Sequence, residues 1–124
     1  MEYSKGKIKS FTDLETWRQA HKLALTVYKT TDKFPSKETY SLTDQMRRCG
    51  ISISSNIAEG FSRQGRKEKI QFFYMAKGSL TELQNQLLLA RDIGYLEKEM
   101  FNEIAQQTVS VGKLLTGLIR SIKN

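Results

Sequence analysis

The amino-acid sequence predicts an all-α protein built as a four-helix bundle, and three observations indicate this fold class. The chain contains a single proline, Pro35, a residue that long helices tolerate poorly. In its second half, a heptad-like apolar pattern recurs at steps of three and four, the spacing of one stripe along an α-helix. The pattern has two parts, Phe73, Ala76, Leu80, Leu83, Leu87 and Ala90, then Phe101, Ile104, Thr108, Val111, Leu115, Leu118 and Ile122. Only a few residues separate the two parts, so the two helices are expected to lie antiparallel.

The first helix is predicted over residues 13–32. Thr12 followed three residues later by Glu15 has the spacing of a capping box, which satisfies backbone N–H groups that a helix start leaves open. The helix is expected to end before Phe34 and Pro35, because the residue before a proline is pushed out of helical geometry. Its apolar residues recur at helical spacing: Leu14, Trp17, Ala20, Ala24, Val27 and Tyr28.

The second helix is predicted over residues 41–61, after a short turn at residues 36–40. Asp44 stands at the capping-box offset from Ser41. Residues 50–55 alternate small and β-branched side chains, which by local propensity could form a strand. A helix is predicted instead, because an apolar stripe at helical spacing crosses the segment: Leu42, Met46, Cys49, Ile53 and Ile57.

The third and fourth helices are predicted over residues 66–93 and 97–122, after a turn at residues 60–65. Gly94 suits the left-handed residue that closes a helix. Both helices carry apolar or small residues beyond one stripe: Phe72, Met75, Leu88 and Leu89, then Ala105, Val109, Gly112, Thr116 and Ile119. Apolar surface beyond one core face predicts homo-oligomerisation, and a wide core face is the alternative.

Length and composition indicate one domain of 124 residues, with a basic segment at 1–11 and the helical bundle at 12–124. No run of about 18 apolar residues could span a bilayer. The N-terminus has no apolar stretch of the kind found in secretory signals. The single cysteine, Cys49, cannot form an intrachain disulfide. We therefore expect a cytoplasmic protein with no membrane partner.

Residues for catalysis or metal binding are scarce. One histidine and one cysteine exclude a His/Cys zinc site within one chain. His21 has Arg18 three residues before it, where a di-iron bundle has Glu, and we expect it in the core or an interface. Cys49 lies among apolar residues, where a thiol is usually inert. There is no nucleophile elbow or Walker-type loop. We expect no enzyme, no cofactor and no metal.

The net charge of +7, from 20 Lys and Arg against 13 Asp and Glu, attracts polyanions. A cluster of cations lies at the start of the third helix, where the helix dipole adds positive potential. The candidate nucleic-acid-binding residues are Arg47, Arg63, Arg66, Lys67, Lys69, Lys113, Arg120 and Lys123. The alternative is solvated charge that keeps the protein soluble.

A set of polar residues on the second and third helices predicts a polar network, because buried polar groups must be paired. Its candidate members are Gln45, Arg48, Asn56, Glu59, Ser79 and Glu82. Arg48 is expected to pair with a carboxylate. The network would fix helix register or subunit docking, and a polar pocket for a ligand is the alternative.

Residues 42–60, LTDQMRRCGISISSNIAEG, resemble the signature of the S23 or 23S rRNA intervening-sequence protein family. The segments FTDLETW at 11–17, Phe34-Pro35, AKGSLTEL at 76–83 and Gly94-Tyr95 extend the resemblance over residues 11–120. It implies an antiparallel four-helix bundle that assembles as a ring-like homopentamer. Members are often encoded inside intervening sequences of large-subunit rRNA genes, and their biochemical role is poorly established.

A more distant relative of that family, the accessory protein of diversity-generating retroelements, is a basic pentamer that binds nucleic acid and a reverse transcriptase. A reverse transcriptase is therefore a partner by analogy only. We expect an up-down-up-down bundle that forms a homopentamer and binds the RNA or DNA backbone through its basic surface. The alternative is a protein–protein scaffold or accessory subunit with no direct nucleic-acid binding.

Overall fold

The computed structural model describes residues 8–124, which contain four long α-helices and no strand. The all-α prediction is therefore confirmed for this part of the chain. Residues 1–7 of the predicted basic segment lie outside the described residues. Two short 3-10 helices, Phe11–Asp13 and Ser36–Glu38, precede the first two α-helices. The α-helices are α1 (Glu15–Thr31), α2 (Leu42–Ser62), α3 (Arg66–Ile93) and α4 (Lys98–Lys123).

The predicted capping box at Thr12 and Glu15 is wrong, because the box forms two residues earlier. The hydroxyl of Ser10 accepts a hydrogen bond from the N–H of Thr12, and the Ser10 N–H donates to Asp13 Oδ2 at 3.0 Å. Leu14 then adopts an extended conformation and is fully buried, so α1 begins only at Glu15. Leu14 itself therefore separates the capped 3-10 helix from α1.

The predicted capping box at Ser41 and Asp44 is also wrong. Ser41 makes no side-chain cap, because its hydroxyl donates to Glu38 Oε1 at 2.6 Å. Asp44 pairs with Arg48 one turn later instead, at 2.9 Å. Residues 50–55, which could have formed a strand by propensity, are helical throughout. Gly50 lies against α1 there, since a Cβ at this position would be 3.4 Å from Ala24 Cα.

Helix α3 covers the predicted residues 66–93, and α4 begins and ends one residue later than predicted. Gly94 closes α3 in the left-handed conformation, with φ of +101°. Its N–H donates to the carbonyls of Ala90 and Arg91 at 3.2 and 3.0 Å. The local sequence signal for this turn therefore corresponds to the observed backbone.

The four helices pack around one continuous hydrophobic core. Helix α2 contacts α1 and α3, and α4 contacts α3 and α1. Near the start of α3, Arg66 reaches the end of α4, and at the end of α3, Arg91 lies over Phe101 near the start of α4. The largest fully buried side chains are Phe73, Leu14, Leu23, Met46, Ile53, Ile57, Leu83, Leu87, Ile104, Leu115, Leu118 and Val27.

Several predicted positions lie elsewhere than expected. His21, which was expected in the core or in an interface, is exposed and its ring stacks on that of Trp17, 4.7 Å between centroids, so only the core placement is wrong. Of the apolar residues beyond one stripe, Ile119 is buried, whereas Met75 and Leu89 are about half exposed. A wide core face therefore accounts for only some of the apolar residues that lie beyond one stripe. None of the described helices combines the length and hydropathy needed to cross a bilayer.

Candidate nucleic-acid interface

Two of the predicted cations close the ends of other helices. Arg66, the first residue of α3, donates from Nε and Nη2 to the carbonyl oxygen of Ile122, at 3.0 and 2.8 Å. Lys69 Nζ donates to the carbonyl of Phe61 at 2.8 Å, near the end of α2. Partial burial lowers the pKa of Lys69. Because the last carbonyls of a helix lack intrahelical partners and carry partial negative charge, both cations stabilise the fold at this end of the molecule.

Two further cations lie over aromatic rings at the same end. Arg63 pairs with Glu59 at 3.0 Å, and its guanidinium carbon lies 4.8 Å from the centroid of Phe72. Lys123 Nζ donates to the hydroxyl of Tyr74 at 3.0 Å and lies 5.4 Å from the ring centroid. That hydrogen bond lowers the pKa of Tyr74. These cations are engaged within the chain but remain at the surface.

Arg47 is not brought together with the other cations. It lies on α2, about 24 Å along the helix from Arg63 at 1.5 Å per residue. Its guanidinium donates to Thr31 Oγ1 and to Asp32 Oδ1, both at 2.9 Å, and lies 4.6 Å from the centroid of Tyr28. Arg47 therefore joins α2 to the end of α1, and its Nε and Nη2 groups are engaged within the chain.

Three predicted cations remain uncommitted. Lys67, Lys113 and Arg120 are exposed, and their side chains make no hydrogen bond or ion pair with any residue between 8 and 124. Lys67 lies at the start of α3, and the other two lie on α4, two turns apart. These are the predicted cations whose charge is fully available to a ligand.

A groove of about 580 Å³ runs between α3 and α4 and includes two of these uncommitted cations. A third cation, Lys77, enters it from α3 and donates to Thr116 Oγ1 at 3.0 Å. No carboxylate lines the groove among the residues that the structure describes. Its lining residues are Lys77, Leu80, Thr81, Gln84, Thr108, Val109, Gly112, Lys113, Thr116, Gly117 and Arg120.

Lys77 is the residue of this groove that the sequence analysis missed. A signal for it exists, since Tyr74, Lys77, Thr81 and Gln84 form a stripe at steps of three and four beside the apolar stripe of α3. Tyr74, Lys77 and Gln84 form hydrogen bonds with residues of α4, and Thr81 lines the groove. Polar side chains on the flank of a core stripe therefore mark the edge where α4 docks.

The predicted polar network is smaller than expected and has a different centre. Ser52 Oγ lies 2.8 Å from Ser79 Oγ, and Asn56 Nδ2 donates to Ser52 Oγ at 3.1 Å. These three residues link α2 to α3. Ser52 is not among the predicted members, although it stands four residues before Asn56 and so lies on the same helix face.

The remaining predicted network members do not join this link. Arg48 does pair with a carboxylate, but it is that of Asp44 in its own helix, and Glu59 pairs with Arg63. Gln45 is exposed. Glu82 is exposed and close to Cys49. Burial of the Cys49 thiol, together with the negative charge of Glu82, raises the pKa of this thiol to about 11. Such a thiol is inert at neutral pH, because the thiolate is the reactive form.

A second cleft, of about 950 Å³, lies between the end of α1 and the turn from α3 to α4. Its lining includes Lys29 and Lys33, but also the carboxylates of Asp32, Glu97 and Glu103. This mixture of charges gives no positive excess. Within residues 8–124, no three His, Cys, Asp or Glu side chains converge in a group that could hold a metal ion.

Comparisons with known proteins agree with this architecture. The family model described as 23S rRNA-intervening sequence protein matches residues 12–117. A solved structure from Bacteroides thetaiotaomicron, a protein of unknown function from the S23 ribosomal protein family, is similar to this chain with a TM-score of 0.76. The two are 23% identical, and the match covers 84% of this chain and 97% of the other. At this identity the likeness shows the fold alone. The search of curated proteins finds no match.

Proposed function

Because this chain belongs to the 23S rRNA-intervening sequence protein family, we propose that it is a non-catalytic protein that binds the RNA or DNA backbone through a basic surface. The observation that carries this proposal is the groove between α3 and α4, which Lys77, Lys113 and Arg120 line and to which no residue between 8 and 124 contributes a carboxylate. Lys, Arg and Thr side chains are the usual donors to phosphate oxygens. The groove therefore has the charge and the donors that a phosphate backbone requires.

The surroundings of the groove support the same ligand. Lys123 and Arg66 lie at the adjoining end of α4, where each is held in place by a hydrogen bond within the chain. They add to the positive potential near the groove, which raises the local concentration of a polyanion. The net charge of +7 extends this attraction over the whole protein.

The proposed assembly is a homopentamer of up-down-up-down bundles in the bacterial cytoplasm. The contacts of each helix with the next in sequence, and of α4 with α1, support the proposed topology. Exposed Met75, Leu89 and Ile93 lie on one face of α3 and offer apolar surface for subunit contacts. Five copies would carry a formal charge of +35, five times +7. Several grooves on one particle would raise avidity for a long polyanion.

A salt-titrated binding measurement tests the proposal. Fluorescence anisotropy with labelled 20-nucleotide RNA and DNA, single-stranded and duplex, would be recorded from low to physiological ionic strength. The Lys113→Glu/Arg120→Glu variant should bind much more weakly than the wild type. Its slope of log Kd against log salt should fall by about two. The matched control is Lys37→Glu/Lys98→Glu, which makes the same charge change at exposed positions outside the groove.

Two results would contradict the proposal. Absence of binding to every probe at low ionic strength would reject nucleic-acid binding altogether. Equal loss of affinity in both double variants would show that net charge, and not the groove, governs the interaction.

The alternative function is that of a protein–protein scaffold or accessory subunit that does not touch nucleic acid. The exposed apolar face of α3 at Met75, Leu89 and Ile93 favours it. A reverse transcriptase is a partner for such a subunit only by analogy with distant relatives. Absorbance at 260 nm in purified protein discriminates the two functions cheaply, because a backbone-binding protein retains nucleic acid at low salt.

A further inference from the structure

We infer that the groove between α3 and α4 takes a single nucleic-acid strand, and that one unpaired base stacks on Tyr74 at its end. This inference rests on the proposed function and narrows its ligand to single-stranded RNA or DNA. Three features carry it: the depth at which Lys77 lies in the groove, the spacing of the two cations on α4, and the half-exposed ring of Tyr74, which lies next to the groove lining, one helical turn before Lys77.

The cations lie at different depths in the groove. Lys77 is half-buried, and its ammonium group is held at 3.0 Å by Thr116 Oγ1 on the opposite helix. Lys113 and Arg120 are exposed on α4, about 10 Å apart along the helix axis. A ligand that meets all three must lie lengthwise in the groove and press phosphate groups inward toward Lys77.

The floor of the groove permits such close approach. Leu80 and Gly112 meet there, since a Cβ on Gly112 would lie 3.4 Å from Leu80 Cδ2. Gly117 lies five residues further along α4, and a Cβ at that position would meet nothing within 4 Å. Two positions without side chains, one just before Lys113 and one between Lys113 and Arg120, therefore keep the α4 wall of the groove low.

Tyr74 lies on α3, one helical turn before Lys77, and contacts Lys123 at the end of α4. Its side chain is 48% exposed, and Lys123 holds its hydroxyl at 3.0 Å, which fixes the orientation of the ring. An exposed aromatic ring beside a row of cations is the combination that binds single strands, because every base offers a π-face for stacking. The ring would therefore add affinity without selecting a sequence.

A duplex fits this arrangement poorly. Packed helices have axes about 8–10 Å apart, so the trough between them is narrower than a double helix. A duplex would rest on the rim, reach Lys113 and Arg120, and leave Lys77 without a phosphate. Its bases are stacked on one another and cannot reach Tyr74. The groove should therefore favour the single strand over the duplex.

The test compares single-stranded probes with a duplex of the same length. Wild-type protein would be titrated with labelled dT20, rU20 and a mixed-sequence 20-base-pair DNA, at one low salt concentration. Both single strands are expected to bind at least about fivefold more tightly than the duplex. Tyr74→Leu should weaken single-strand binding by about five- to tenfold and leave duplex binding unchanged, whereas Tyr74→Phe should retain affinity, because stacking needs only the ring.

The matched control is Tyr40→Leu, which removes an aromatic ring that is 95% exposed and lies before α2, on neither of the helices that form the groove. It should leave all affinities unchanged. Thermal unfolding of each variant checks that the fold is intact, as is expected for substitutions at exposed rings.

The outcomes separate this inference from the proposed function. If the duplex binds as tightly as the single strands, or if Tyr74→Leu retains full single-strand affinity, the inference is wrong and backbone binding still stands. If neither form binds, the proposed function fails and the inference fails with it.

Discussion

The guanidinium group of Arg66 donates two hydrogen bonds, of 3.0 and 2.8 Å, to the carbonyl oxygen of Ile122. The two residues are 56 positions apart, at the start of α3 and the end of α4. A cation that the sequence suggests for phosphate binding therefore closes a neighbouring helix, where it meets the negative end of the helix dipole. The same side chain that joins two helices also leaves its charge at the basic end of the molecule.

Arg66→Ala should lower the free energy of unfolding by about 1 kcal/mol, because it leaves a carbonyl at the end of α4 without its charged donor. Lys67→Ala, at the next position, should change stability by less than about 0.5 kcal/mol, since Lys67 is exposed and makes no bond within residues 8–124. Urea unfolding of both variants measures the difference. Equal stability of the two would show that the Arg66 contact contributes nothing.

Gly60→Ala should destabilise the protein by about 1–3 kcal/mol through overpacking. A Cβ at Gly60 would lie 2.6 Å from Cε1 of Phe73, whose side chain is fully buried and cannot move aside. Gly78→Ala is the matched control on α3, where an added Cβ meets nothing within 4 Å. It should stabilise the helix by about 0.5–1 kcal/mol, because Ala has less backbone entropy to lose. Thermal unfolding midpoints that move in the same direction for both variants would contradict this contrast.

The hydrogen bond from Tyr95 Oη to Glu38 Oε2, at 2.7 Å, predicts a stability that depends on pH at both extremes. Hydrogen bonds from Ser41 and Tyr95 lower the pKa of Glu38 below its usual 4.5, so its contribution is present above that value and is lost as pH falls through the lowered pKa. The same bond raises the pKa of Tyr95 above its usual 10.0. Its contribution is present below pH 10 and is lost as pH rises through the raised pKa.

The measurement is the unfolding midpoint of wild type and Tyr95→Phe from pH 2 to 11. The variant lacks the hydroxyl, so the gap between the two curves should be widest at neutral pH and should narrow toward both ends. A gap that stays constant across the range would exclude this hydrogen bond as its source.

Substitutions in the polar network should separate its real members from the predicted ones. Glu59→Gln should change stability by less than about 0.5 kcal/mol, because its ion pair with Arg63 is exposed to solvent and joins two residues only four positions apart at the end of α2. Ser79→Ala should cost about 1 kcal/mol, since it removes the 2.8 Å hydrogen bond to Ser52 between α2 and α3. Chemical denaturation gives both values. A larger loss for Glu59→Gln than for Ser79→Ala would restore Glu59 to the network.

Much of the secondary structure could be predicted from the sequence, because the spacing of apolar residues along a helix and the glycine that ends a helix are both local features of the chain. Helix α3 coincides with the predicted residues, and Gly94 adopts the left-handed conformation its position indicated. The caps could not be predicted as well. Hydroxyl and carboxyl side chains at capping distance are common, and the choice between Ser10 and Thr12 depends on where Leu14 must turn into the core.

The candidate interface was predictable only as a set of charges. The sequence determined by itself that the chain is helical, where its apolar stripes run, and that it carries an excess of cations, because these follow from residue identity and spacing. Tertiary structure alone decided that Arg47 and Arg66 donate hydrogen bonds to the ends of other helices. It also decided that Lys77 enters a groove beside Lys113 and Arg120. The reason is physical: a side chain's electrostatic role depends on which carbonyls, carboxylates and rings are brought within about 3–6 Å of it. Those neighbours come from helices distant in the sequence.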